Sequence, residues 1–277
     1  MRQQSAPPSS DARLAERLTA IAIQASRAIL AVDFRNAGTR RKADSSAVTA
    51  ADEAAQAVIL AGLTRVVPDI PVVSEEAPCD WHGEAPSEFL LVDPLDGTAE
   101  FLAGRLEYTV NIALVRHGIP SVGVVAAPAL GLIWRGATDS GAEQVRFSPG
   151  DEPNGLRATA IHTRPWPDGE RRAAVSRTHF DAMSAAFLER LAPVTEVAFG
   201  SALKFCRLAE GAIDIYPRLA PTCEWDVAAG HAVVVAAGGT VVAADGGLLR
   251  YGRVHVGFRV EGFTAWGDPK AAGQFAK

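Results

Sequence analysis

The chain has 277 residues, of which 48% are hydrophobic, and 27 basic against 32 acidic side chains give a formal net charge of -5. This length and apolar content suffice for one large core or for two smaller cores in contact. The weakly acidic charge provides no basic surface for long nucleic acid, so any nucleotide ligand should be small.

We expect neither a signal peptide nor a transmembrane segment. Residues 1–10 are polar and rich in Pro and Ser, and no window approaches the roughly eighteen unbroken apolar residues of a membrane-spanning helix. The three cysteines are odd in number and fit no zinc spacing, which favours free thiols in a reducing compartment. The expected location is the cytoplasm, and peripheral attachment at the inner face of the membrane stays open.

Two helices are predicted near the start of the chain. Between Asp11 and Val32, apolar residues recur at three- and four-residue intervals and form one stripe. The polar residues 36–47 are predicted to form a loop. Thr49 and Asp52 then resemble a capping box in front of a second amphipathic helix. A cap alone would account for both residues.

The stretch F-L-L-V-D-P-L-D-G-T carries more chemical information than any other. Apolar residues suited to a buried strand lead into Asp93, and Pro94 and Gly97 predict a rigid, tight turn. Asp93 and Asp96 on such a turn would repel each other unless a cation or proton lay between them, and Mg²⁺ prefers oxygen ligands of this kind. Thr98 would begin a helix whose free N–H groups can receive a phosphate. The alternative is a solvated turn with local caps.

Two further acidic residues lie at the ends of predicted elements. Glu75 follows a short apolar strand, after which residues 77–88 form a surface excursion where His82 is predicted to be a loop residue. Asp226 stands at the start of a helix rich in Ala and Val, where it could instead serve only as an N-cap. Acidic groups therefore recur at three element ends.

The remaining chain divides into a strand-rich stretch and an alternating stretch. A meander of antiparallel strands is predicted over residues 108–115, 122–127 and 132–134. Residues 141–169 lack sustained periodicity, and a domain junction is placed there, giving a subdomain over 1–150 and another over 151–277. Strands and helices alternate in the second half, which predicts an α/β layer after an α+β first half. The fold class is thus α/β overall.

Several motifs together resemble one known family. D-P-L-D-G-T, the upstream S-E-E and the downstream W-D-V-A-A-G resemble the signature of the Mg²⁺-dependent, lithium-sensitive inositol monophosphatase superfamily, and the resemblance is nearly full length. Residues 42–44 (K-A-D), 48–52 (V-T-A-A-D) and 200–206 (G-S-A-L-K-F-C) are most similar to its 3'(2'),5'-bisphosphate nucleotidases of the bacterial CysQ type. The resemblance implies a layered αβαβα sugar-phosphatase-like fold and two or three Mg²⁺ ions. We expect a monomer or a homodimer, and the sequence does not distinguish between them.

The resemblance also implies roles for individual residues. It assigns metal binding to Glu75, Asp93, Asp96 and Asp226 and to the backbone carbonyl of Leu95. Catalysis is assigned to Glu75, Thr98 and Asp52, which would orient and deprotonate the attacking water. Substrate contacts are implied for the following residues: Glu75, Leu95, Asp96, Gly97, Thr98, His179, Ser201, Lys204, Arg218 and Asp226. The loop with Lys42 and Asp44 would approach the metal ions.

The implied reaction is hydrolysis of the 3'-phosphate of adenosine 3',5'-bisphosphate to AMP and phosphate, with a role in sulfur metabolism. Two departures leave the substrate open, because Ala99 stands where the family often has Lys, and Ala202 where it has Ser. One alternative is an inositol monophosphatase or a fructose-1,6-bisphosphatase-like sugar phosphatase. Another is a noncatalytic module that binds metal or phosphate.

Overall fold

The structure is a computed structural model, and it describes residues 9–41, 47–77, 79, 81–153, 155–178 and 180–275. Its helices are α1 Ser10–Leu30, α2 Ala50–Val66, α3 Thr98–Leu102, α4 Ala182–Glu189, α5 Leu203–Ala209, α6 Glu224–Ala236 and α7 Pro269–Phe275. The strands of the first half are β1 Thr39–Arg41, β2 Ala47–Thr49, β3 Val72–Ser74, β4 Glu88–Asp96, β5 Thr109–Arg116, β6 Ile119–Ala127, β7 Leu132–Ala137, β8 Gly141–Arg146 and β9 Ala158–Ile161. The later strands are β10 Arg171–Ser176, β11 Val194–Phe199, β12 Ile215–Arg218, β13 Thr222–Cys223, β14 Thr240–Ala243, β15 Arg259–Val260 and β16 Phe263–Trp266.

The two N-terminal helices form where the sequence predicts them. The Ser9 hydroxyl caps α1 by accepting a hydrogen bond from the N–H of Ala12 at 3.0 Å. At the start of α2 the predicted capping box is present, because the Asp52 carboxylate accepts from the N–H of Thr49 at 2.8 Å. The apolar stripes of both helices are buried against the first sheet.

The first sheet has seven strands in the order β3-β4-β5-β6-β7-β8-β9. β3 lies parallel to β4, and every later neighbour pair is antiparallel, which confirms the predicted meander. Two expectations were wrong: β1 and β2 form an antiparallel pair where a loop was predicted, and β8 and β9 extend the sheet through the stretch predicted to be irregular. Short strands with few apolar residues leave no periodic signal for a sequence prediction.

The second sheet has five strands in the order β11-β10-β12-β16-β14. β10 runs parallel to β11 and β12, whereas β16 pairs antiparallel with β12 and β14. The predicted alternation of strands and helices between residues 173 and 242 is confirmed. The sequence analysis did not predict β13, β15, β16 and α7, which complete this half of the chain.

Three apolar cores separate the layers. One lies between the first sheet and α1 and α2, the second between the two sheets around α5 and α6, and the third between the second sheet and α4 and α7. These layers confirm the predicted αβαβα fold. The division into subdomains at residue 150 stays a prediction.

Helix α6 packs unusually close to the first sheet. A Cβ atom on Gly123 of β6 would lie 2.3 Å from the carbonyl oxygen of Ala229, and one on Gly136 of β7 would lie 2.8 Å from Cβ of Ala236. Glycine is therefore required at both positions for this approach. The contact fixes the helix whose first turn carries Asp226.

Within the described part of the chain, Cys79, Cys206 and Cys223 form no disulfide. Within the described residues, no helix is both long and apolar enough to cross a membrane.

Candidate active site

A cavity of about 500 Å³ is lined by residues from both halves of the chain. It brings together most of the predicted site residues: Glu75, Asp93, Leu95, Asp96, Gly97, Thr98, Ser201, Lys204, Arg218 and Asp226. Asp52 lies behind this lining and contacts Thr98. His179, Lys42 and Asp44 fall outside the described residues. The roles assigned to these residues stay predictions.

Strand β4 contains an irregularity that turns two carboxylates to the same side of the sheet. Asp93 lies opposite Asn111 of β5, whereas Asp96 lies opposite Thr109, so three steps on β4 match two steps on β5. The extra residue is a β-bulge. On a regular strand, side chains three residues apart point to opposite faces, and the bulge removes that difference. The sequence analysis placed a turn after Asp93, but β4 continues to Asp96.

The acidic side chains in this cavity repel one another. Asp93 is 1% exposed, and burial raises its pKa well above the ordinary value, with a further increase from the charges of Glu75 and Asp96. Burial together with the charge of Asp226 raises the pKa of Asp96 to about 7, although nearby cations oppose this increase. A cation that binds between such carboxylates stabilises them, because it offsets their mutual repulsion.

The oxygen atoms at the acidic end of the cavity fit a hard divalent cation. They come from four carboxylates and the Leu95 carbonyl, and such oxygens are the ligands that Mg²⁺ prefers. Across the described ranges, no three acidic, histidine or cysteine side chains already converge in a coordination arrangement. Asp93 Oδ1 accepts from the N–H of Leu95 at 3.0 Å, and Asp226 Oδ2 accepts from the N–H of Cys223 at 3.2 Å. A cation would compete with these donors.

Backbone elements bring Glu75 and Asp226 to the same place. Glu75 follows β3 directly, and its N–H donates to the Val92 carbonyl at 3.1 Å, so it lies beside the end of β4. Asp226 occupies the first turn of α6 and forms a capping box with Cys223. The N-cap interpretation of Asp226 is therefore correct as local structure, and it is compatible with the position of this carboxylate in the cavity.

The half-buried Thr98 pairs with the buried Asp52. The Thr98 hydroxyl lies 3.2 Å from Asp52 Oδ1 and 3.2 Å from the carbonyl oxygen of Leu95, and it can donate to either. Asp52 is 2% exposed, and burial raises its pKa, although hydrogen bonds from Thr49 and Thr98 act in the opposite direction. The same carboxylate thus caps α2 and contacts Thr98.

Two cationic side chains, Lys204 and Arg218, also line the cavity and interact electrostatically with Asp96. Lys204 is 2% exposed, and burial lowers its pKa to about 8 even though the charge of Asp96 favours the protonated form. Its Nζ donates to the carbonyl oxygen of Ser201 at 2.5 Å and lies 5.4 Å from the centre of the Tyr216 ring. The buried Nε of Arg218 has no hydrogen-bond acceptor among the described residues.

Some residues that shape the cavity were not predicted from the sequence. Glu107 accepts from Arg177 Nη2 at 2.7 Å and from the N–H of Gly200 at 2.8 Å, which ties β5's leading loop to the second half. Thr109 and Asn111 contact Asp96 from β5. The one available signal was a pair of polar residues two positions apart in an otherwise apolar strand.

Comparison with known proteins adds an independent line of evidence. A model of the inositol monophosphatase family matches residues 12–267. The protein named 3'(2'),5'-bisphosphate nucleotidase CysQ from Escherichia coli strain K12 is 42% identical over 224 residues, which cover 79% of this chain and 87% of that protein. The protein of the same name from Haemophilus influenzae is 32% identical over 197 residues, or 70% of each chain.

Solved structures agree with the sequence matches. The crystal structure of CysQ from Bacteroides thetaiotaomicron, described as a bacterial member of the inositol monophosphatase family, aligns with a TM-score of 0.76 at 32% identity and covers 91% of this chain and 96% of that one. Inositol monophosphatase from Anabaena aligns with a TM-score of 0.72 over 95% of this chain and 94% of that one, and its 23% identity supports the fold alone.

Proposed function

The chain belongs to the inositol monophosphatase family, and we propose that it is a Mg²⁺-dependent 3'(2'),5'-bisphosphate nucleotidase, a phosphoric monoester hydrolase. The proposed reaction removes the 3'-phosphate of adenosine 3',5'-bisphosphate and yields AMP and phosphate. Support comes from relatives of that name that align over most of the chain. The observation that carries the proposal is one cavity lined both by four carboxylates, those of Glu75, Asp93, Asp96 and Asp226, and by two cations, Lys204 and Arg218.

The acidic end of the cavity is the proposed metal site. Glu75, Asp93, Asp96 and Asp226, with the carbonyl of Leu95, would hold two or three Mg²⁺ ions. Bound Mg²⁺ supplies an activated water nucleophile and neutralises charge on the phosphoryl group and the leaving oxygen. The raised pKa values of Asp93 and Asp96 support this assignment, because repulsion among buried carboxylates favours cation binding.

Thr98, Asp52 and Glu75 are the proposed proton-handling residues. When the Thr98 hydroxyl donates to Asp52, its oxygen lone pairs are free to accept a hydrogen bond from the attacking water. Thr98 would thereby orient this water, and Glu75 would accept its proton. The Thr98–Asp52 contact supports a role beyond helix capping, because a cap alone does not require Thr98.

Lys204 and Arg218 are proposed to bind the phosphate that is not cleaved. Both line the cavity, where a charge-assisted contact to phosphate is strong. Gly97 and Ser201 line the same cavity and would contact the substrate. A contact from His179 also belongs to this proposal.

Substrate comparison tests the proposal. We expect kcat/KM in Mg²⁺ to be higher for adenosine 3',5'-bisphosphate than for inositol 1-phosphate or fructose 1,6-bisphosphate. The Asp96→Asn variant, which loses a ligand charge, should be inactive on all three and serves as a control for contaminating phosphatase. A clear preference for inositol phosphate or the sugar bisphosphate would replace the nucleotidase assignment. Absence of phosphate release from every ester would favour a noncatalytic binding module.

We also propose that the protein is cytoplasmic and that it is a monomer or homodimer. Three cysteines that form no disulfide among the described residues suit a reducing compartment. Cell fractionation would test the location, including attachment to the inner face of the membrane, and sedimentation equilibrium would give the oligomeric state.

A further inference from the structure

Two polar side chains of β5 are buried against the acidic end of the cavity. Thr109 is 0% exposed and Asn111 is 1% exposed, and the next four residues of the strand, 112–115, are apolar. The Thr109 hydroxyl and the Asn111 amide nitrogen both donate to the same atom, Oδ2 of Asp96, each at 3.5 Å. Asp96 is therefore approached by two neutral donors from a neighbouring strand.

The bulge in β4 creates this arrangement. Thr109 and Asn111 lie two residues apart on a regular stretch of β5 and so share one face. Because of the extra residue in β4, Asp93 and Asp96 share that face as well, with Asn111 directly opposite Asp93. The two donors thus stand across from the two carboxylates rather than across from apolar side chains.

Asn111 carries a polar atom that packing does not explain. Its Oδ1 is buried and has no hydrogen-bond donor among the described residues. The amide nitrogen must face the Asp96 carboxylate, so exchanging the two amide atoms would not repair this defect. A buried acceptor without a donor costs free energy, and such atoms are found where a further polar partner binds. The buried carboxylates beside it point to that partner being a hydrated cation.

We propose that Thr109 and Asn111 are positioning residues that fix the Asp96 carboxylate for Mg²⁺. By donating to Oδ2, they hold the carboxylate in one orientation, which lowers the cost of ordering it when the ion binds. Donors behind a metal ligand commonly change metal affinity by about 10- to 100-fold when they are removed. The inference rests on the proposed function, in which Asp96 is a metal ligand.

The test uses pairs of variants with the same shape and different hydrogen-bonding capacity. Asn111→Val and Asn111→Thr introduce β-branched side chains that suit a strand and have nearly the same shape as each other. Only the Thr variant keeps a hydrogen-bond donor. Mg²⁺ affinity would be measured by isothermal titration calorimetry on the full-length protein without substrate. We expect the Val variant to bind Mg²⁺ roughly 10- to 100-fold more weakly than the wild type. The Thr variant should recover at most part of that loss, because its hydroxyl lies one atom nearer the backbone than the Asn amide nitrogen.

A second pair of variants, at Thr109, keeps the test possible if the Asn111 variants do not fold. Thr109→Val removes the other donor with little change in shape, and Thr109→Ser retains it. Val115→Ala, on the same face of β5 but away from the acidic end, controls for loss of core packing, and it should destabilise the protein without changing Mg²⁺ affinity. Each variant's thermal unfolding would be recorded alongside the titration.

The outcomes separate this inference from the proposed function. Weaker binding in the Val variants with recovery in Thr or Ser supports the positioning role. The second outcome is that the wild-type protein binds Mg²⁺ and that all four variants bind it with the same affinity. This outcome refutes the positioning role and leaves the nucleotidase assignment intact. A wild-type protein that binds no Mg²⁺ refutes both.

Discussion

The hydroxyl of Ser201 lies 2.9 Å from the backbone carbonyl oxygen of Asp96 and donates to it across 105 positions of sequence. The same hydroxyl lies 2.9 Å from the carbonyl oxygen of Glu107. Ser201 adopts a φ of 49°, in the left-handed region that residues with a Cβ disfavour, and a Cβ on Gly97 would lie 2.2 Å from its Oγ. The two halves of the chain therefore interlock at the acidic strand end.

Replacing Ser201 should separate the effect of its hydroxyl from that of its backbone. Ser201→Ala and Ser201→Gly both remove the hydrogen bond, and we expect each to lower kcat/KM about tenfold, the equivalent of roughly 1.4 kcal/mol. Glycine relieves the left-handed strain, so the Gly variant should be about 1 kcal/mol more stable than the Ala variant in urea unfolding. Equal stability with unchanged kcat/KM would show that the interlock has no functional effect.

The sequence predicted the positions of the acidic residues better than the geometry that joins them. Four apolar residues before Asp93 indicated a strand, and Pro94 with Gly97 indicated a turn. In the structure, a β-bulge rather than a turn brings Asp93 and Asp96 to one face. The bulge depends on the register of β4 against β5, a strand that lies further along the chain. A single-strand pattern carries no register information.

The same limit applies to β8, β9 and β16. These strands are held by pairing with neighbouring strands of their sheets. Their own sequences therefore need only a weak strand pattern, which is hard to recognise from sequence. The helices α1 and α2 were predictable because each has an apolar stripe and a side-chain cap within its own sequence. The contacts of Thr109 and Asn111 with Asp96 were not, since they also depend on strand register.

A buried histidine should make the stability of the protein depend on pH. His231 is 4% exposed, its Nδ1 lies 2.9 Å from the Tyr251 hydroxyl, and burial lowers its pKa to about 4. The unfolded chain has the ordinary pKa of about 6.5, so below that pH it binds a proton that the folded protein does not. Stability is therefore lost as the pH falls from about 6.5 towards 4.

The size of the effect can be measured with a variant that does not titrate. At about pH 5 this one group should remove about 2 kcal/mol relative to neutral pH. In His231→Gln, the loss of unfolding free energy between these pH values should be smaller by about that amount. Urea unfolding of both proteins gives the comparison. Parallel pH dependences would mean that His231 is not the responsible group.

Inhibition by foreign cations should report the proposed metal site. Because the motifs of the chain resemble those of a lithium-sensitive family, Li⁺ is expected to inhibit the enzyme by competing with Mg²⁺. Ca²⁺ should also inhibit, because its bonds to oxygen are about 2.3–2.6 Å against 2.0–2.1 Å for Mg²⁺ and would misplace both water and phosphate. Initial rates at fixed Mg²⁺ with added Li⁺ or Ca²⁺ give the test, and Na⁺ at equal ionic strength is the control. Full activity in high Li⁺ would contradict the proposed ligand set.

Lys204 should distinguish recognition of the second phosphate from the chemistry of cleavage. Lys204 is buried and lines the cavity, and its ammonium nitrogen lies over the Tyr216 ring. Lys204→Met removes the charge while preserving most of the packing, and Lys204→Ala removes both. A charge-assisted contact to phosphate is worth about 1.5–3 kcal/mol, so kcat/KM for the bisphosphate should fall roughly ten- to a hundredfold in either variant.

The decisive comparison is with a substrate that has only one phosphate. Hydrolysis of adenosine 3'-monophosphate should change much less in Lys204→Met, because that substrate lacks the group that Lys204 is proposed to bind. Mg²⁺ affinity should also change little, since Lys204 contributes no oxygen ligand, although loss of its charge will raise the pKa of Asp96 further. If bisphosphate and monophosphate hydrolysis fell equally, Lys204 would instead act through the general field of the cavity. The second half of the chain would then need another group to account for a preference for bisphosphates. Arg218 is such a group, because its buried Nε has no acceptor among the described residues.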